Sequence, residues 1–328
     1  SLVMLCFNYL IMGFAQTLTL LFIGRIISGI GSATFSTCNA YIADTTPPDE
    51  RAQYFGMMGA AFGLGFVIGP AVGGFLGEYG NRVPFFATAG LIFANLIMGF
   101  VFLPESLEKE NRRTFEIARA NPFSALMQMR RFKIVFGILG VMFLYNLGHH
   151  VLPSIWNFYG MEKFGWTPRE VGYSLSFIGL LMVFVQGYLI RVAIPAVGVR
   201  MAGIIGLVFN FIAFSGYAMA TSSWVAIAFL VPGALGALAA PSINSIASSQ
   251  VGPDQQGELQ GALASMMSLA SIISPPMMTL TFGMFSGADA AYYFPGAPFV
   301  LAALLTLMSL VLFVRTTAGF KEPESSTV

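Results

Sequence analysis

Charge is what this chain has least of. Of its 328 residues only 9% are Asp, Glu, Lys or Arg, and 16 basic residues nearly balance 15 acidic ones. Soluble domains carry about a quarter charged residues, so an ordinary water-exposed surface is excluded. A net charge of +1 leaves no basic field for a nucleic acid to follow. Cysteine is almost as scarce. Cys6 and Cys38 both sit in apolar runs, so no disulfide framework can be read and both are expected as buried free thiols. His149 and His150 are the only histidines. No paired-histidine pattern or other metal-ligand cluster appears, and the glycine-rich segments do not follow the strand-to-helix logic of a phosphate loop. No metal, no cofactor and no enzymatic site are therefore expected.

What remains is apolar. Hydrophobic residues make up 56% of the chain and mean hydropathy is +0.76. A membrane span needs about 20 mainly apolar residues, and ten such stretches can be read: 2–16, 18–42, 54–77, 84–103, 132–153, 170–190, 201–220, 223–247, 258–283 and 298–315. The chain reads as an all-α polytopic membrane protein. The longest polar connection, 105–133, carries Lys109, Arg112, Arg113, Arg119, Arg130, Arg131 and Lys133. Basic connections stay in the cytoplasm, and alternation from there also places Arg51, Arg191, Arg200, Arg315 and Lys321 inside. Only Arg82, Lys163 and Arg169 fall outside. That bias predicts a cytoplasmic C-terminus.

The chain also repeats itself. Pro48-Asp49, Gly56 and Pro70 recur as Pro253-Asp254, Gly261 and Pro275, each 205 residues later. Pro84-Phe85 recurs as Pro298-Phe299 at 214, which implies about nine extra residues in the outside loop 285–296. At the first offset the helix beginning near Phe132 would have its counterpart about 73 residues before Ser1. Ser1 is not a start methionine, so the expectation is a twelve-helix protein of which ten helices are present. The expected organisation is 1–104 as four helices of a first half, 105–131 as a cytoplasmic linker, and 132–328 as a second half of six helices.

Two segments carry most of the information. Gly63–Gly77, GLGFVIGPAVGGFLG, holds six glycines and Pro70 inside an apolar span. Such a composition would ruin a helix in water, whereas in a bilayer small residues let helices approach closely. Gly65, Gly69 and Gly73 fall four apart and are expected to form the packing stripe, with Pro70 bending the helix beside it; Gly69-Pro70 and Gly73-Gly74 belong to the same motif. Upstream lie Gly24-Arg25, Gly29, Gly31, Asp44 and the turn Asp49-Glu50-Arg51. These residues together resemble the major facilitator superfamily, in its drug:proton antiporter branch that contains the tetracycline-resistance exporters. The resemblance implies the major facilitator fold, ten of its twelve helices, in a cell membrane, the bacterial inner membrane in particular. It implies secondary active transport, with proton-coupled export of a small amphipathic compound by alternating access. Metabolite uptake on the same fold is the alternative, and a polytopic membrane enzyme a third reading. The partners implied are a small-molecule substrate, protons and the bilayer, with the protein acting as a monomer.

Arg25 lies about 10 Å into its helix, where an arginine is costly unless paired or facing water. It is expected in proton coupling, and otherwise as a snorkelling or carbonyl-capping side chain. No carboxylate lies at its depth in the ten stretches. His149 and His150 are the candidate protonation pair because imidazole changes charge near neutrality, and only one of two adjacent helical residues can easily face a cavity. Asn39, Asn146, Trp156, Gln186 and Asn244 are candidate cavity residues, and 156–166 reads as an interfacial aromatic belt. Met57, Met58, Met266 and Met267 read as soft packing. The tetracycline exporters carry ionisable groups where this chain has Asn8, Met182 and Asn210, which argues against the same metal–tetracycline substrate and the same proton route.

Overall fold

In the computed structural model, residues 2–31, 34–46, 51–104, 133–252, 256–287 and 290–320 are described. Among them the regular elements are all helical. The expected linker 105–131 and the turn Asp49-Glu50 fall outside this set, as do the side chains of Asn39, Asp44 and Arg51.

The chain divides into two compact units, Ser1–Phe115 with Pro168–Ser176, and Glu116–Thr167 with Phe177–Val328. In the first, α1 (Leu2–Phe14) packs on α2 (Leu18–Ile30) and on α5 (Val83–Phe102), while α3 (Thr34–Thr45) and α4 (Arg51–Gly77) pair with each other. The second holds α6 (Lys133–His149) and α7 (Val151–Phe164), then α8 (Pro168–Phe184) from Phe177 onward. A π-helical turn at Val185–Leu189 leads to α9 (Ile190–Val197) and α10 (Val199–Met219). Next comes a broken span of α11 (Ser223–Ala228), α12 (Leu230–Leu235), a 3-10 turn Gly236–Leu238 and α13 (Ala239–Ser248). The last helices are α14 (Gln256–Ser286) and α15 (Ala297–Thr316). α15 packs against both α6 and α10. The core there is mainly aliphatic, built on Val135, Ile138, Leu139, Ile243, Leu259 and Leu263, with Phe313 among them.

Seven helical segments are long and apolar enough to cross a membrane, and Leu2–Phe14, Leu18–Gly29 and Gly63–Gly77 are shorter apolar ones. They coincide with the ten stretches read from the sequence, with three corrections. The expected span 18–42 is two helices, because the chain leaves α2 at Gly31. The expected span 132–153 runs on to Phe164. Pro153 removes the donor that the His149 carbonyl would take, and the helix bends at His150 rather than ending there. It ends at Gly165, in the left-handed conformation at φ 68°, which only glycine adopts without cost. The expected span 170–190 extends from Pro168 to Val197.

The sequence repeat reappears in the element boundaries. α11 begins 205 residues after α2, α13 the same distance after α3, and α14 the same distance after α4; α15 follows α5 by 214. Even the caps correspond. The Thr17 hydroxyl accepts from the Leu20 N–H at 3.4 Å, and Ser222, 205 residues on, accepts from the Val225 N–H at 3.4 Å. The break at Gly31 matches the break at Gly236 at the same offset. Asn39 and Asn244 are likewise equivalent positions. Both cysteines are free, but neither is buried as expected: Cys6 is half-buried and Cys38 exposed. The apolar surroundings that would bury a thiol in water are here the helix face itself.

Candidate functional site

The second unit holds a half-open cavity of about 450 Å³. One wall comes from α6, where Met142, Tyr145, Asn146 and His149 follow the i, i+3, i+4, i+7 spacing of a single helical face. Met182 and Gln186 approach from α8 and the π turn. Ala237 of the 3-10 turn, with Ala240, Pro241 and Asn244 of α13, forms another wall, and Met267 of α14 completes it. Two departures from α-helical geometry thus face one cavity. π turns inside helices are often found at functional sites because they re-aim side chains; this one carries Gln186.

Among the described residues that line it there is no carboxylate, lysine or arginine. The chemistry is amide, phenol, imidazole and thioether. Asn146 donates through Nδ2 to the Met142 carbonyl at 2.7 Å, which leaves its carbonyl oxygen as an acceptor. Asn244 accepts at Oδ1 from Gln260 Nε2 at 3.4 Å, which leaves its own N–H groups. The His149 ring stacks on Tyr145 with centroids 5.1 Å apart and planes 20° from parallel, and meets Phe214 edge-on at 6.2 Å. Its Nδ1 is buried with no hydrogen-bond partner among the described residues. An unpaired buried polar atom is costly, so His149 holds an unused hydrogen-bonding capacity beside the cavity.

Of the candidates from the sequence, Asn146, His149, Gln186 and Asn244 come together here. His150 does not line the cavity; it caps α7, and its carbonyl accepts from Ser154 Oγ at 2.7 Å. Trp156 does not reach it either. It is 1% exposed and packs edge-on against Trp166, Tyr217 and Phe299 with centroids 5.1–6.2 Å apart. The expected interfacial belt is therefore in good part an aromatic core, because α7 carries it inward beyond the bend. Met182, Met267 and Tyr145 also line the site, Met267 in place of the packing role expected of it. Tyr145 was findable: it lies on the face shared by Asn146 and His149.

In the first unit Arg25 is exposed and forms no hydrogen bond or ion pair with a described residue. Its neighbour Gly24 marks the close approach of α1 and α2, where an added side-chain carbon would come 3.2 Å from the Asn8 oxygen. Asn8 is buried, with that oxygen unpartnered among the described residues. Asn210 does hydrogen-bond, as expected of an amide in a membrane helix. It is 1% exposed and donates through Nδ2 to the Gly236 carbonyl at 3.0 Å, holding the 3-10 turn that presents Ala237 to the cavity.

The glycine stripe needs correction. Among the described residues nothing lies within 4 Å of a side chain built at Gly65, Gly69 or Gly73. The packing face is Val67, Pro70, Gly74 and Gly77, rotated by about 100° from Gly73 to Gly74. It crosses the start of α8. A side-chain carbon at Gly74 would fall 2.7 Å from the Pro168 carbonyl oxygen, and one at Gly172 would fall 2.5 Å from that of Pro70. Ser176 donates through Oγ to the Val67 carbonyl at 2.7 Å. Arg169 and Glu78, 3.7 Å apart and both solvent-accessible, pair at the end of the crossing. Pairs this exposed add little to stability, so the contact rests on backbone proximity.

Comparisons with known proteins agree with this geometry and with one another. The family model described as Major Facilitator Superfamily matches residues 1–275. A tetracycline resistance protein of class C from Escherichia coli is 34% identical over 92% of this chain and 75% of the relative. One of class G from Vibrio anguillarum is 31% identical over 95% of this chain and 78% of the relative. Among solved structures, a mutant of the nucleoside transporter NupG superposes with a TM-score of 0.77 at 13% identity, covering 98% of this chain and 82% of that one. The human organic anion transporter MFSD10 does so at 0.62 and 24% identity, covering 95% and 75%. At such identities the structures speak for the fold alone. By the family match and by its identity to these relatives, the chain belongs to the major facilitator superfamily and is a multi-pass membrane transporter.

Proposed function

We propose that this chain carries out proton-coupled export of a small amphipathic compound by alternating access, with the cavity of the second unit forming part of the substrate site. The observation that carries the reading is the cavity wall itself. Amide hydrogen-bonding groups, an aromatic stack and thioethers converge there without a fixed charge. Such a surface suits a planar, largely uncharged compound that can hydrogen-bond. Resemblance to tetracycline resistance proteins supports export of a drug-like compound, while the missing carboxylates argue for a substrate other than a metal chelate. The bacterial relatives and the basic-residue bias support an inner-membrane location with the C-terminus in the cytoplasm. The four-helix and six-helix halves of the sequence reading, and action as a monomer, belong to the same proposal.

Flux into everted vesicles with a compound panel tests it. Substrate-dependent collapse of an imposed proton gradient, with uptake into everted vesicles, is expected. Movement of substrate in the opposite sense would favour the uptake reading instead. Gln186→Ala and Asn244→Ala should each raise KM several-fold while leaving kcat nearly unchanged, as loss of uniform binding does.

His149 is the proposed proton-handling group of this unit. Asn146 and Gln186 share its cavity, Tyr145 stacks on it, and His150 is its chain neighbour. His149→Asn keeps a hydrogen-bonding side chain but cannot titrate. The variant should lose one inflection from the pH profile of transport, whereas His150→Asn should keep it. An unchanged profile in His149→Asn moves coupling elsewhere in the protein. Arg25 is proposed to act through its charge. Arg25→Lys should then retain more flux than Arg25→Gln, although lysine loses the planar fork; equal and near-normal flux for both leaves a snorkelling role.

A further inference from the structure

A second concavity, of about 440 Å³, lies on a different face of the second unit. Leu307, Met308, Val311 and Leu312 of α15 line it from below, Leu144 of α6 flanks it, and Arg315 stands at one end. The spacing from Leu307 to Arg315 is i, i+1, i+4, i+5, i+8, a stripe along one helix face roughly 12 Å long. The trough therefore runs parallel to a membrane-spanning helix. Its walls are aliphatic and half-open: Leu307, Met308 and Val311 are 38%, 56% and 45% exposed.

Among the described residues Arg315 is the one charged group lining this surface, and it is the penultimate residue of α15. It is exposed and makes no hydrogen bond or ion pair with a described residue. The neighbouring guanidinium, Arg200, is directed otherwise, its Nε donating to Thr317 Oγ1 at 3.1 Å. At the end of a span, an arginine sits at the depth of lipid phosphates, and its fork matches a phosphate oxygen pair. An aliphatic trough running along the bilayer normal and ending in such a guanidinium has the form of one acyl chain below one headgroup.

We propose that this trough is a binding site for an anionic phospholipid, with the phosphate on Arg315 and an acyl chain along Leu307–Leu312. A zwitterionic lipid occupies the same trough more weakly, because its cationic choline group opposes the arginine. The site is separate from the cavity and does not rest on the transport reading.

The experiment uses the protein in nanodiscs of phosphatidylcholine doped with phosphatidylglycerol, with bound lipid counted by native mass spectrometry after release. Wild type should retain phosphatidylglycerol over phosphatidylcholine, and Arg315→Gln should lower that preference about fivefold, the weight of one basic side chain against an anionic bilayer. Arg315→Lys should keep most of it. Val311→Trp, which fills the trough without touching the charge, should lower retention of both lipids. Thermal midpoints in pure phosphatidylcholine report folding of each variant, and a matched midpoint makes loss of preference a loss of binding. Retention of the same preference in Arg315→Gln overturns the proposal. So does a stabilisation reproduced by inorganic phosphate in phosphatidylcholine discs, since a free anion needs no trough.

Discussion

Gly172→Leu is expected to lower the thermal midpoint and the folded yield of the protein sharply, and Gly74→Leu to do the same. The obstacle at each position is backbone. A side-chain carbon at Gly172 would stand 2.5 Å from the Pro70 oxygen and 3.1 Å from Gly74 Cα, and one at Gly74 would stand 2.7 Å from the Pro168 oxygen. Overpacking ordinarily costs about 1–3 kcal/mol because side chains give way. Here α4 and α8 would have to separate, so the cost should lie at or beyond that upper end. Separation would also break the bond from Ser176 to the Val67 carbonyl. Gly69→Leu is the control. No described atom lies within 4 Å of its added carbon, and the variant should stay within about 0.5 kcal/mol of wild type, as surface substitutions do. Thermal unfolding in detergent measures all three. A larger loss in Gly69→Leu than in Gly172→Leu would restore the stripe that residue spacing suggested.

Asn210→Leu should be strongly destabilising to the second unit. Replacing a buried amide of nearly the same size leaves the Gly236 carbonyl without its donor, at about 1–3 kcal/mol, and it loosens the 3-10 turn that carries Ala237 into the cavity wall. The two residues are also locked sterically, since a carbon added at Gly236 would collide with the Asn210 amide. Gly236→Ala should therefore destabilise by itself. In Asn210→Ala the obstructing amide is gone, so the double variant Asn210→Ala with Gly236→Ala should be more stable than the sum of the singles implies, the non-additivity expected of residues in contact. Strict additivity in thermal midpoints would show that the two do not share one contact.

These cases show where residue patterns were legible. The i, i+3, i+4, i+7 face of α6 could be read from 142, 145, 146 and 149 because helical periodicity is local. The same rule misassigned the packing glycines. Four-residue spacing picks out Gly65, Gly69 and Gly73 as well as it picks out a face containing Pro70, Gly74 and Gly77. Which face meets a neighbour depends on where α8 lies, and its partner glycine is about 100 residues away in the chain. Trp156 failed for a related reason. An aromatic run beyond Pro153 looks like the end of a span, but the helix bends and continues, so the ring enters a core with Tyr217 and Phe299.

Sequence alone determined the class of this protein, the approximate places of its apolar segments and its internal repeat. Each follows from composition or from spacing along the chain, and the 205-residue offset even set the helix starts at Ser223, Ala239 and Gln256. Tertiary structure alone decided which of several equivalent helix faces is used. It brought Gln186 on a π turn to Asn146 and His149, set Asn210 against Gly236, and pressed Gly74 onto Gly172. The physical reason is that a membrane helix satisfies its own backbone and is apolar all round. Burial therefore gives little preference for one face, and the choice falls to close contact between helices remote in sequence.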